Sequence, residues 1–302
     1  MIKHLTKMLD LSKEDIISIL DLADSMKSQQ KKGNAPQPLK GKTLAMIFQK
    51  ASTRTRVSFE TGIYQLGGQA LFLSASDLQM GRGEPIEDTA RVLGRYVDGI
   101  MIRTFAQQDV EDLAKWSGIP VINGLTDYDH PCQILADLMT IREYKGKLEG
   151  LKLTYIGDGN NMCNSLIIGC LTVGMKISVA VPKGHEPHQD VLNFAKNYSD
   201  AFELVQDPSH AAIQADVLVT DVWASMGQEA EAAARMKTFA DYQINAELMN
   251  KANPDAIVLH CLPAHRGEEI TADIFEAHAN VIFDEAENRL HAQKAVMALL
   301  MQ

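Results

Sequence analysis

Long hydrophobic runs are the first feature that this sequence of 302 residues lacks. None reaches the roughly 18 consecutive apolar residues that a transmembrane helix needs, so we predict no membrane-spanning segment. The N-terminal residues carry positive charges, but Lys13, Glu14 and Asp15 follow them instead of an apolar stretch. We therefore predict no signal peptide. The composition, with 46% hydrophobic and 23% charged residues, is typical of a globular protein.

Clusters of basic residues are also missing. Lysine and arginine total 29 against 39 aspartate and glutamate residues, which gives a formal net charge of −10. A protein this acidic repels nucleic acids and anionic membranes unless it concentrates its basic residues in one place, and no stretch of the chain does so. The sequence thus predicts neither a nucleic-acid partner nor a membrane partner.

Cysteines are few and are not paired in sequence. Cys132, Cys163, Cys170 and Cys261 form no CxxC pair and no zinc-binding spacing. The segment His185-Glu186-Pro187-His188 is similar to a metal motif, but Pro187 interrupts the helical spacing that HExxH requires. We predict no metal ion, no other cofactor, and a cytoplasmic location with reduced thiols.

Internal repeats and low-complexity segments are absent, and the first half of the chain instead alternates short apolar runs with helical patterns. Strands are predicted at 43–48, 70–73, 99–102 and 120–122, and helices at 55–66, 85–95 and 110–116. Ser12 precedes a further helical pattern and is a suitable N-cap. Such alternation is typical of a parallel sheet with helices on both faces.

The alternation pauses and then restarts. A helix predicted from Pro131 ends in the polar stretch 145–150, where we place the boundary between two domains, 1–147 and 148–302. Beyond it, strands are predicted at 153–156, 176–181, 202–205, 217–219, 257–259 and 281–283. We expect the last helix, about 286–302, to pack back onto the first domain. The predicted fold is α/β, with two domains that each contain a parallel sheet flanked by helices.

The segment Ser52-Thr53-Arg54-Thr55-Arg56 follows the first predicted strand and leads into a helix. Ligands bind at such strand-to-helix turns in open α/β folds, and free N–H groups at a helix start favour an anion. The hydroxyls add donors, and both arginines present planar forks that match phosphate oxygens. Composition alone is equally consistent with a phosphate site and with a capped helix bearing two solvated arginines.

Three more polar segments occupy comparable positions. His130-Pro131-Cys132-Gln133 opens a helix, the stretch from Asp221 to Gly227 follows a predicted strand, and His260-Cys261-Leu262-Pro263 follows another. Four polar segments at one kind of sheet edge, in two domains, predict an active site in the cleft between the domains.

Together these motifs resemble the aspartate/ornithine carbamoyltransferase family. They run in the family's order from residue 52 to residue 263, and Glu287-Asn288-Arg289 extends the resemblance to the last helix. Each motif alone is weakly specific, whereas the combination is highly specific. The resemblance implies transfer of the carbamoyl group of carbamoyl phosphate to the δ-amine of ornithine, which gives citrulline and phosphate.

The resemblance also implies which residues bind carbamoyl phosphate. They are Ser52, Thr53, Arg54, Thr55, Arg56, Gln79, Arg103, His130, Gln133, Cys261, Leu262 and Arg289. The family lends the residue at Gln79 to a neighbouring subunit, so a homotrimer with shared sites is implied. The implied catalytic residues are Arg54, Thr55, Arg103, His130 and Cys261. Their types suit the reaction, because negative charge builds on the carbamoyl oxygen and then on the leaving phosphate.

For the acceptor, the resemblance implies binding by Asn161, Asp221, Ser225 and Met226. An aspartate acceptor would need additional basic residues in the second domain, whereas Asp221 and Ser225 suit a ligand ammonium and Asn161 suits its carboxylate. The Ser225-Met226-Gly227 loop resembles the ornithine-specific members of the family. Relatives that act on putrescine or acylated ornithine are expected to differ there.

Two alternatives stay open at this point. Gly157-Asp158-Gly159 resembles the start of a dinucleotide-binding turn, which would indicate a dehydrogenase. Met162 stands where the third glycine belongs, however, and no acid closes the next strand, so the fingerprint fails twice. The other alternative is a non-catalytic member of the fold that only binds partners; such a protein is expected to lose site residues, and this sequence retains them.

Overall fold

The chain folds into two compact units. A computed structural model describes residues 2–224 and 231–302. Unit 1 consists of Met1–Met139 and Asn288–Gln302, and unit 2 consists of Thr140–Glu287. The division therefore falls inside two helices, Pro131–Lys145 and Ala279–Leu300. The boundary between substrate-binding domains at residues 147 and 148 stays a prediction.

Unit 1 contains a four-stranded parallel sheet with the order β2-β1-β3-β4. Its strands are β1 (Thr43–Phe48), β2 (Gln69–Ser74), β3 (Gly99–Arg103) and β4 (Val121–Leu125). The helices in this part of the chain are α1 (Lys13–Lys31), α2 (Thr53–Gln65), α3 (Ile86–Tyr96), α4 (Gln107–Ser117) and α5 (Pro131–Lys145). Short 3-10 helices occupy Met8–Asp10, Ala75–Asp77 and Gln79–Arg82.

The inner strands of this sheet are buried along almost their whole length. All of β3 is buried, and β1 is buried after its first residue. Ile47, Ile102 and Val121 share one core with Val110 and Leu113 of α4. Strands covered on both faces have apolar residues at successive positions, which is why plain apolar runs predicted them. At the edge, β2 leaves Leu71 and Phe72 exposed.

The first helix begins at the predicted cap. Ser12 Oγ accepts a hydrogen bond from Asp15 N (3.1 Å), and Asp15 Oδ2 accepts one from Ser12 N (3.1 Å). This reciprocal capping box satisfies backbone donors that a helix start otherwise leaves free. The prediction for Ser12 is confirmed.

Unit 2 contains a five-stranded parallel sheet with the order β7-β6-β5-β8-β9. Its strands are β5 (Lys152–Ile156), β6 (Lys176–Ala180), β7 (Phe202–Val205), β8 (Val217–Thr220) and β9 (Ile257–His260). The remaining helices are α6 (Asn161–Thr172), α7 (Gln189–Ala195), α8 (Pro208–Ala212), α9 (Ala232–Thr238), α10 (Ala246–Met249), α11 (Ala272–Ala277) and α12 (Ala279–Leu300).

Strand order fixes where each unit presents polar groups. In unit 1, β1 lies between β2 and β3, and Phe48 at its end pairs with Arg103 at the end of β3. In unit 2, β5 lies between β6 and β8, and Ile156 pairs with Thr220. Chains leaving adjacent parallel strands toward opposite sides open a crevice at the carboxyl edge, which is the usual ligand position in such sheets.

The predicted strand at 281–283 is wrong, because this segment lies in helix α12. Val281 and Ile282 are buried while Phe283 is exposed, as expected for one turn of an amphipathic helix. A three-residue run of β-branched and aromatic side chains does not distinguish a strand from part of a longer helix. The other predicted strands are confirmed.

Across residues 2–224 and 231–302, no helix combines the length and the apolarity that crossing a membrane would require.

Candidate active site

The turn between β1 and α2 is built around the hydroxyl of Ser52. Ser52 is the N-cap of α2, and its Oγ accepts a hydrogen bond from Thr55 N at 3.2 Å. The same Oγ lies 3.2 Å from Thr55 Oγ1. Thr55 is 1% exposed, whereas Thr53 faces solvent. The first turn of the helix therefore carries one buried hydroxyl, that of Thr55, and one exposed hydroxyl, that of Thr53.

Two buried guanidinium groups converge on Thr55. Arg103 NH1 and Arg289 NH2 each donate to Thr55 Oγ1 at 3.4 Å, one from the end of β3 and the other from α12. Arg289 NH1 also donates to Gln133 Oε1 at 2.7 Å. Arginine forks held this close together concentrate positive charge, which suits a ligand with several anionic oxygens.

His130 lies in the same electrostatic environment. Its pKa is lowered well below the ordinary value of 6.5, first by burial and then by the positive charges of Arg289, Arg103 and Arg54. The imidazole is therefore neutral at pH 7, so it offers one donor and one acceptor rather than a further cation. We call Thr55, Arg103, His130, Gln133 and Arg289 the unit 1 cluster.

Gln293, which sequence reasoning missed, orients Arg289 from within the same helix. With its amide oxygen turned toward the guanidinium, it accepts from Arg289 Nε at 3.1 Å and NH2 at 2.9 Å, while its amide nitrogen donates to Ser58 Oγ at 2.6 Å. Gln133 is held in a similar way, because its Nε2 donates to Asp137 Oδ1 at 2.8 Å. The spacing of four residues between Arg289 and Gln293 was a usable helical signal.

Two of the predicted site residues, Arg56 and Gln79, are exposed. Arg56 is exposed, donates to Glu60 Oε1 at 3.0 Å and stacks over the Phe72 ring at 3.7 Å. Gln79 is exposed at the start of the 3-10 helix Gln79–Arg82. The structure thus brings Thr55, Arg103, His130, Gln133 and Arg289 together, but it does not bring Arg56 or Gln79 to them within one chain.

In unit 2 the corresponding feature is one buried carboxylate. Asp221 is 7% exposed and follows β8. Its Oδ2 accepts from Asn160 Nδ2 at 2.8 Å, and its Oδ1 accepts from Val222 N at 2.8 Å and from Cys261 Sγ at 3.2 Å. We call Asn160, Asp221, Val222 and Cys261 the unit 2 cluster; all of its donors are uncharged.

Asn161 is the first residue of α6, directly after Asn160. The predicted acceptor residues Ser225 and Met226 lie outside the described residues. Arg235 of α9 donates to Asp158 and to the carbonyl oxygen of Trp223. This buried arginine was not predicted, and the sequence gives no spacing signal for it.

The turn after β9 is held by a second histidine. Leu262 N donates to His260 Nδ1 at 2.9 Å, so the ring carries its hydrogen on Nε2, which donates to Glu269 Oε1 at 3.0 Å. Leu262 itself has φ +59°, an uncommon value for a residue with a side chain. His260 therefore supports the backbone beside Cys261, a role that sequence reasoning also missed.

One group of potential metal ligands occurs within the described part of the chain: His265, Glu268 and Glu269. Glu269 Oε1 already accepts from His260 Nε2 and from His265 N at 2.6 Å. His265 Nδ1 lies 3.3 Å from Glu268 Oε2, and both side chains are partly solvated. An exposed histidine–glutamate pair beside a structural carboxylate accounts for this arrangement.

Two family models match nearly the whole chain. Residues 3–143 match the carbamoyl-P binding domain of aspartate/ornithine carbamoyltransferase, and residues 149–300 match the Asp/Orn binding domain. The chain belongs to the aspartate/ornithine carbamoyltransferase family. Within the family pattern, Arg289 belongs to the second domain by sequence, although its contacts place it in unit 1.

Individual relatives agree with the family match. Ornithine carbamoyltransferase from Carboxydothermus hydrogenoformans is 59% identical over 296 residues, which cover 97% of this chain and 95% of the relative. The structure of ornithine carbamoyltransferase from Pyrococcus furiosus superposes with a TM-score of 0.95 at 54% identity, covering 99% of this chain and 97% of that one. The anabolic ornithine carbamoyltransferase from Campylobacter jejuni gives a TM-score of 0.93 at 44% identity, covering 99% of both chains.

Membership of this family removes the dehydrogenase alternative, and the structure supplies a physical reason. At the start of α6, the N–H groups of Met162 and Cys163 donate to Asn160 Oδ1 at 3.0 and 3.2 Å. A Cβ added to Gly159 would lie 2.3 Å from His185 O. The position that a dinucleotide phosphate would occupy is thus filled by the chain's own cap and by the loop at 185–187.

Proposed function

We propose that this chain transfers the carbamoyl group of carbamoyl phosphate to the δ-amine of L-ornithine, giving L-citrulline and phosphate. The relatives that span nearly its whole length carry the name ornithine carbamoyltransferase. One structural observation supports the proposal above the others: unit 1 gathers buried cations around Thr55, and unit 2 buries a carboxylate that accepts from uncharged donors. An anionic donor and an acceptor bearing an ammonium group need these opposite charges.

For the donor, we propose that Ser52, Thr53, Arg54 and Thr55 bind the phosphate group at the start of α2. The N-cap geometry of Ser52 and the positive field of the unit 1 cluster support this assignment. Arg103 and Arg289 reach oxygens of the same ligand from β3 and α12. His130 and Gln133 hold the carbamoyl end, as does the backbone around Cys261 and Leu262.

For the acceptor, we propose that Asp221 binds the α-ammonium of ornithine, and that Asn161, Ser225 and Met226 complete the recognition of its α-amino and α-carboxylate groups. The buried position of Asp221 supports this role, because a charge-assisted contact is stronger where water is excluded. Putrescine keeps an ammonium group at the position of the α-ammonium but lacks the α-carboxylate, so the contacts that recognise the carboxylate would contribute no binding energy toward it.

In the proposed reaction the neutral δ-nitrogen attacks the carbamoyl carbon. Negative charge moves onto the carbamoyl oxygen, where Arg103, His130 and the Thr55 hydroxyl stabilise it. The carbon–oxygen bond to phosphate then breaks, phosphate leaves with the bonding electrons, and the nitrogen releases one proton. Arg54 neutralises the leaving phosphate. The chain contributes mainly binding, orientation and charge stabilisation.

An end-point assay tests this function. The purified chain is incubated with carbamoyl phosphate and, separately, with ornithine, putrescine, lysine or aspartate. We expect ornithine to be carbamoylated with a kcat/KM higher by orders of magnitude than the other amines. A higher kcat/KM for putrescine would contradict the acceptor assignment, and failure to carbamoylate any amine would favour a non-catalytic member of the family.

We further propose a homotrimer in which Gln79 completes the site of a neighbouring subunit. Large apolar side chains are exposed on three elements of unit 1: Val57 and Tyr64 of α2, Leu71 and Phe72 of β2, and Val92 and Tyr96 of α3. An apolar surface of this kind is typical of a protein contact, and Gln79 follows β2 by a few residues. Gln79 is exposed within its own chain, which is consistent with action in trans.

Mixed trimers test the shared site. Gln79→Ala and Arg289→Ala trimers should both be defective, because every site contains one damaged component. In a ring assembled at random from equal amounts of both, about a quarter of the sites combine an intact body with an intact loop. We expect activity to rise to that level after co-refolding. Parental activity in verified hybrids would place Gln79 in its own chain's site.

The proposed cellular setting is the cytoplasm, with arginine biosynthesis as the pathway. All four cysteines are free thiols, which is consistent with a reducing compartment. The solved relative from Campylobacter jejuni is described as anabolic, which supports the biosynthetic direction.

A further inference from the structure

Asn160 uses both ends of its side-chain amide at once. Its Oδ1 accepts from Met162 N at 3.0 Å, Cys163 N at 3.2 Å and Tyr155 Oη at 3.3 Å. Its Nδ2 donates to Asp221 Oδ2 at 2.8 Å. One residue therefore joins the N-terminus of α6 to the carboxylate that follows β8.

The direction of this amide is fixed by its surroundings. Backbone N–H groups at a helix start are donors only, so the amide oxygen must face them. The amide nitrogen must then face Asp221, where it finds an acceptor. Burial, and after it the nearby charges including that of Asp221, raise the pKa of Tyr155 well above its usual 10, so its hydroxyl stays protonated and donates. Three donors hold the oxygen in place.

The hydrogen bond from Asn160 constrains one of the two oxygens of Asp221. Oδ1 accepts from Val222 N and from the Cys261 thiol, a weak donor. Oδ2 is held by the Asn160 amide at 2.8 Å. With both oxygens engaged by uncharged donors, the plane of the carboxylate is set while its negative charge remains available to a ligand.

We propose that Asn160 is a positioning residue for the acceptor amino acid: its amide nitrogen fixes the Asp221 carboxylate in the orientation that receives the ligand's ammonium group. This inference rests on the proposed function, because it takes ornithine as the ligand and Asp221 as its partner. Asn160 lies next to Asn161 in the sequence, and its contribution to ornithine binding is made entirely through Asp221.

Asn160→Asp separates the two tasks of this side chain. Aspartate caps a helix about as well as asparagine, so the start of α6 keeps its acceptor. The donor to Asp221 is lost, and a second carboxylate takes its place beside the first. We expect the KM for ornithine to rise at least tenfold, with the KM for carbamoyl phosphate within about twofold of the wild-type value.

The matched control is Asn245→Asp. Asn245 caps α10 in the same way, with Leu248 N donating to its Oδ1 at 3.0 Å, and no hydrogen bond among the described residues joins it to Asp221. The same substitution at this cap should leave both KM values within twofold of wild type. A purely structural effect of aspartate at a cap in unit 2 would instead appear in both variants.

Asn160→Ser provides a second test, since serine keeps a capping oxygen but has no donor long enough to reach Asp221. It should raise the KM for ornithine several-fold, and less than the aspartate variant does, because it adds no charge. Circular dichroism and thermal melting monitor folding in all variants. If both substitutions at Asn160 unfold the chain, the residue serves the fold and the inference is overturned.

Two further outcomes distinguish failure of the positioning role of Asn160 from failure of the proposed function. A wild-type chain that produces no citrulline refutes the proposed function itself. An active wild type, together with folded Asn160→Asp and Asn160→Ser variants whose KM for ornithine is unchanged, refutes the positioning role alone.

Discussion

The unit 1 cluster and the unit 2 cluster carry opposite charges. In unit 1, Arg103 and Arg289 share the Thr55 hydroxyl, so like charges are held close together before any ligand arrives. In unit 2, the Asp221 carboxylate accepts hydrogen bonds from amide, thiol and backbone donors. A site for an anion with several oxygens needs several cations in fixed positions, whereas a site for one ammonium needs one anion held in the correct plane.

The difference also appears in the supporting residues. Gln133 and Gln293 place amide oxygens against the guanidinium of Arg289, which offsets part of the repulsion without neutralising the charge. Asn160 does the converse in unit 2 by offering an amide nitrogen to a carboxylate. In both units an uncharged amide orients a charged group and leaves that charge to the ligand. Substitutions in the two clusters should therefore affect different substrates.

The largest effect is expected from Arg103→Met. The variant removes a buried cation that we assign to the carbamoyl oxygen, where charge grows in the transition state. Loss of one such donor typically lowers kcat by about 10²–10³-fold, and we expect a reduction of that order in kcat, with weaker carbamoyl phosphate binding.

Arg266→Met is the control for Arg103→Met, because Arg266 makes a surface ion pair with Glu276. Steady-state kinetics with carbamoyl phosphate as the varied substrate measures both variants. Retention of more than a tenth of the wild-type kcat by Arg103→Met would exclude the assigned role.

Asp221→Asn should act on the other substrate. Removing one charge-assisted contact costs about 1.5–3 kcal/mol, which corresponds to roughly 10–150-fold weaker ornithine binding. Carbamoyl phosphate binding should stay within twofold, because the unit 1 cluster is unaltered. Calorimetry with each ligand measures the two affinities, and an equal loss for both would indicate that Asp221 serves folding rather than recognition.

Sequence patterns predicted the sheets well, because parallel strands covered on both faces are written as plain apolar runs. The nine strands of the described chain overlap the segments predicted from such runs, although Glu203 interrupts the run in β7. The prediction of a strand at 281–283 was wrong because three apolar residues carry no periodicity. Only the longer helical pattern of α12 around them distinguishes a helix from a strand. Helix starts with side-chain caps, such as Ser12 and Ser52, were also recognisable from local chemistry.

The site was predictable only in part. Residues that would touch a substrate, such as Arg103 and Asp221, belong to motifs, and the roles assigned to them stay predictions. The resemblance to the family implies a role for Asn161 and none for Asn160, although an asparagine at the start of an apolar helix is an N-cap signal. The pairing of His260 with Glu269 depends on tertiary contact, which a single sequence does not reveal.

A smaller effect, on stability, is expected from His130. Its pKa in the folded chain lies well below the unfolded value of about 6.5, because burial and three arginines oppose its protonation. Below pH 6.5 the unfolded chain takes up a proton that the folded chain does not, so stability is complete above this pH and falls as the pH decreases. The loss attributable to this residue grows as the pH falls further below 6.5.

His130→Gln should remove this contribution. Denaturant unfolding at pH 7.5 and pH 5 gives the change in the free energy of unfolding for each chain, and this free energy should decrease less in the variant than in the wild type. Since each chain is compared with itself, any general destabilisation by the substitution cancels. Identical pH dependence in both would mean that His130 is protonated as readily in the folded state as in the unfolded state.

The smallest effect is expected from Gln293→Met, which tests whether uncharged amides orient the arginines of unit 1. Methionine matches glutamine in length but removes the oxygen that accepts from Arg289 Nε and NH2. The arginine keeps its charge and its contact with Gln133, so only part of its orientation is lost. The lost hydrogen bonds should weaken the binding of carbamoyl phosphate by about 1 kcal/mol. The KM for carbamoyl phosphate should therefore rise roughly fivefold, with the KM for ornithine unchanged. The control Gln189→Met makes the same replacement at the exposed start of α7, where the amide nitrogen donates to Asn193 Oδ1 at 3.2 Å.

Gln293→Glu sharpens the comparison, since a carboxylate at this position would orient Arg289 while neutralising it. If orientation is what Gln293 provides and charge is what the ligand uses, the glutamate variant should bind carbamoyl phosphate more weakly than the methionine variant. The reverse order would show that Arg289 is limited by its freedom of movement and not by its charge.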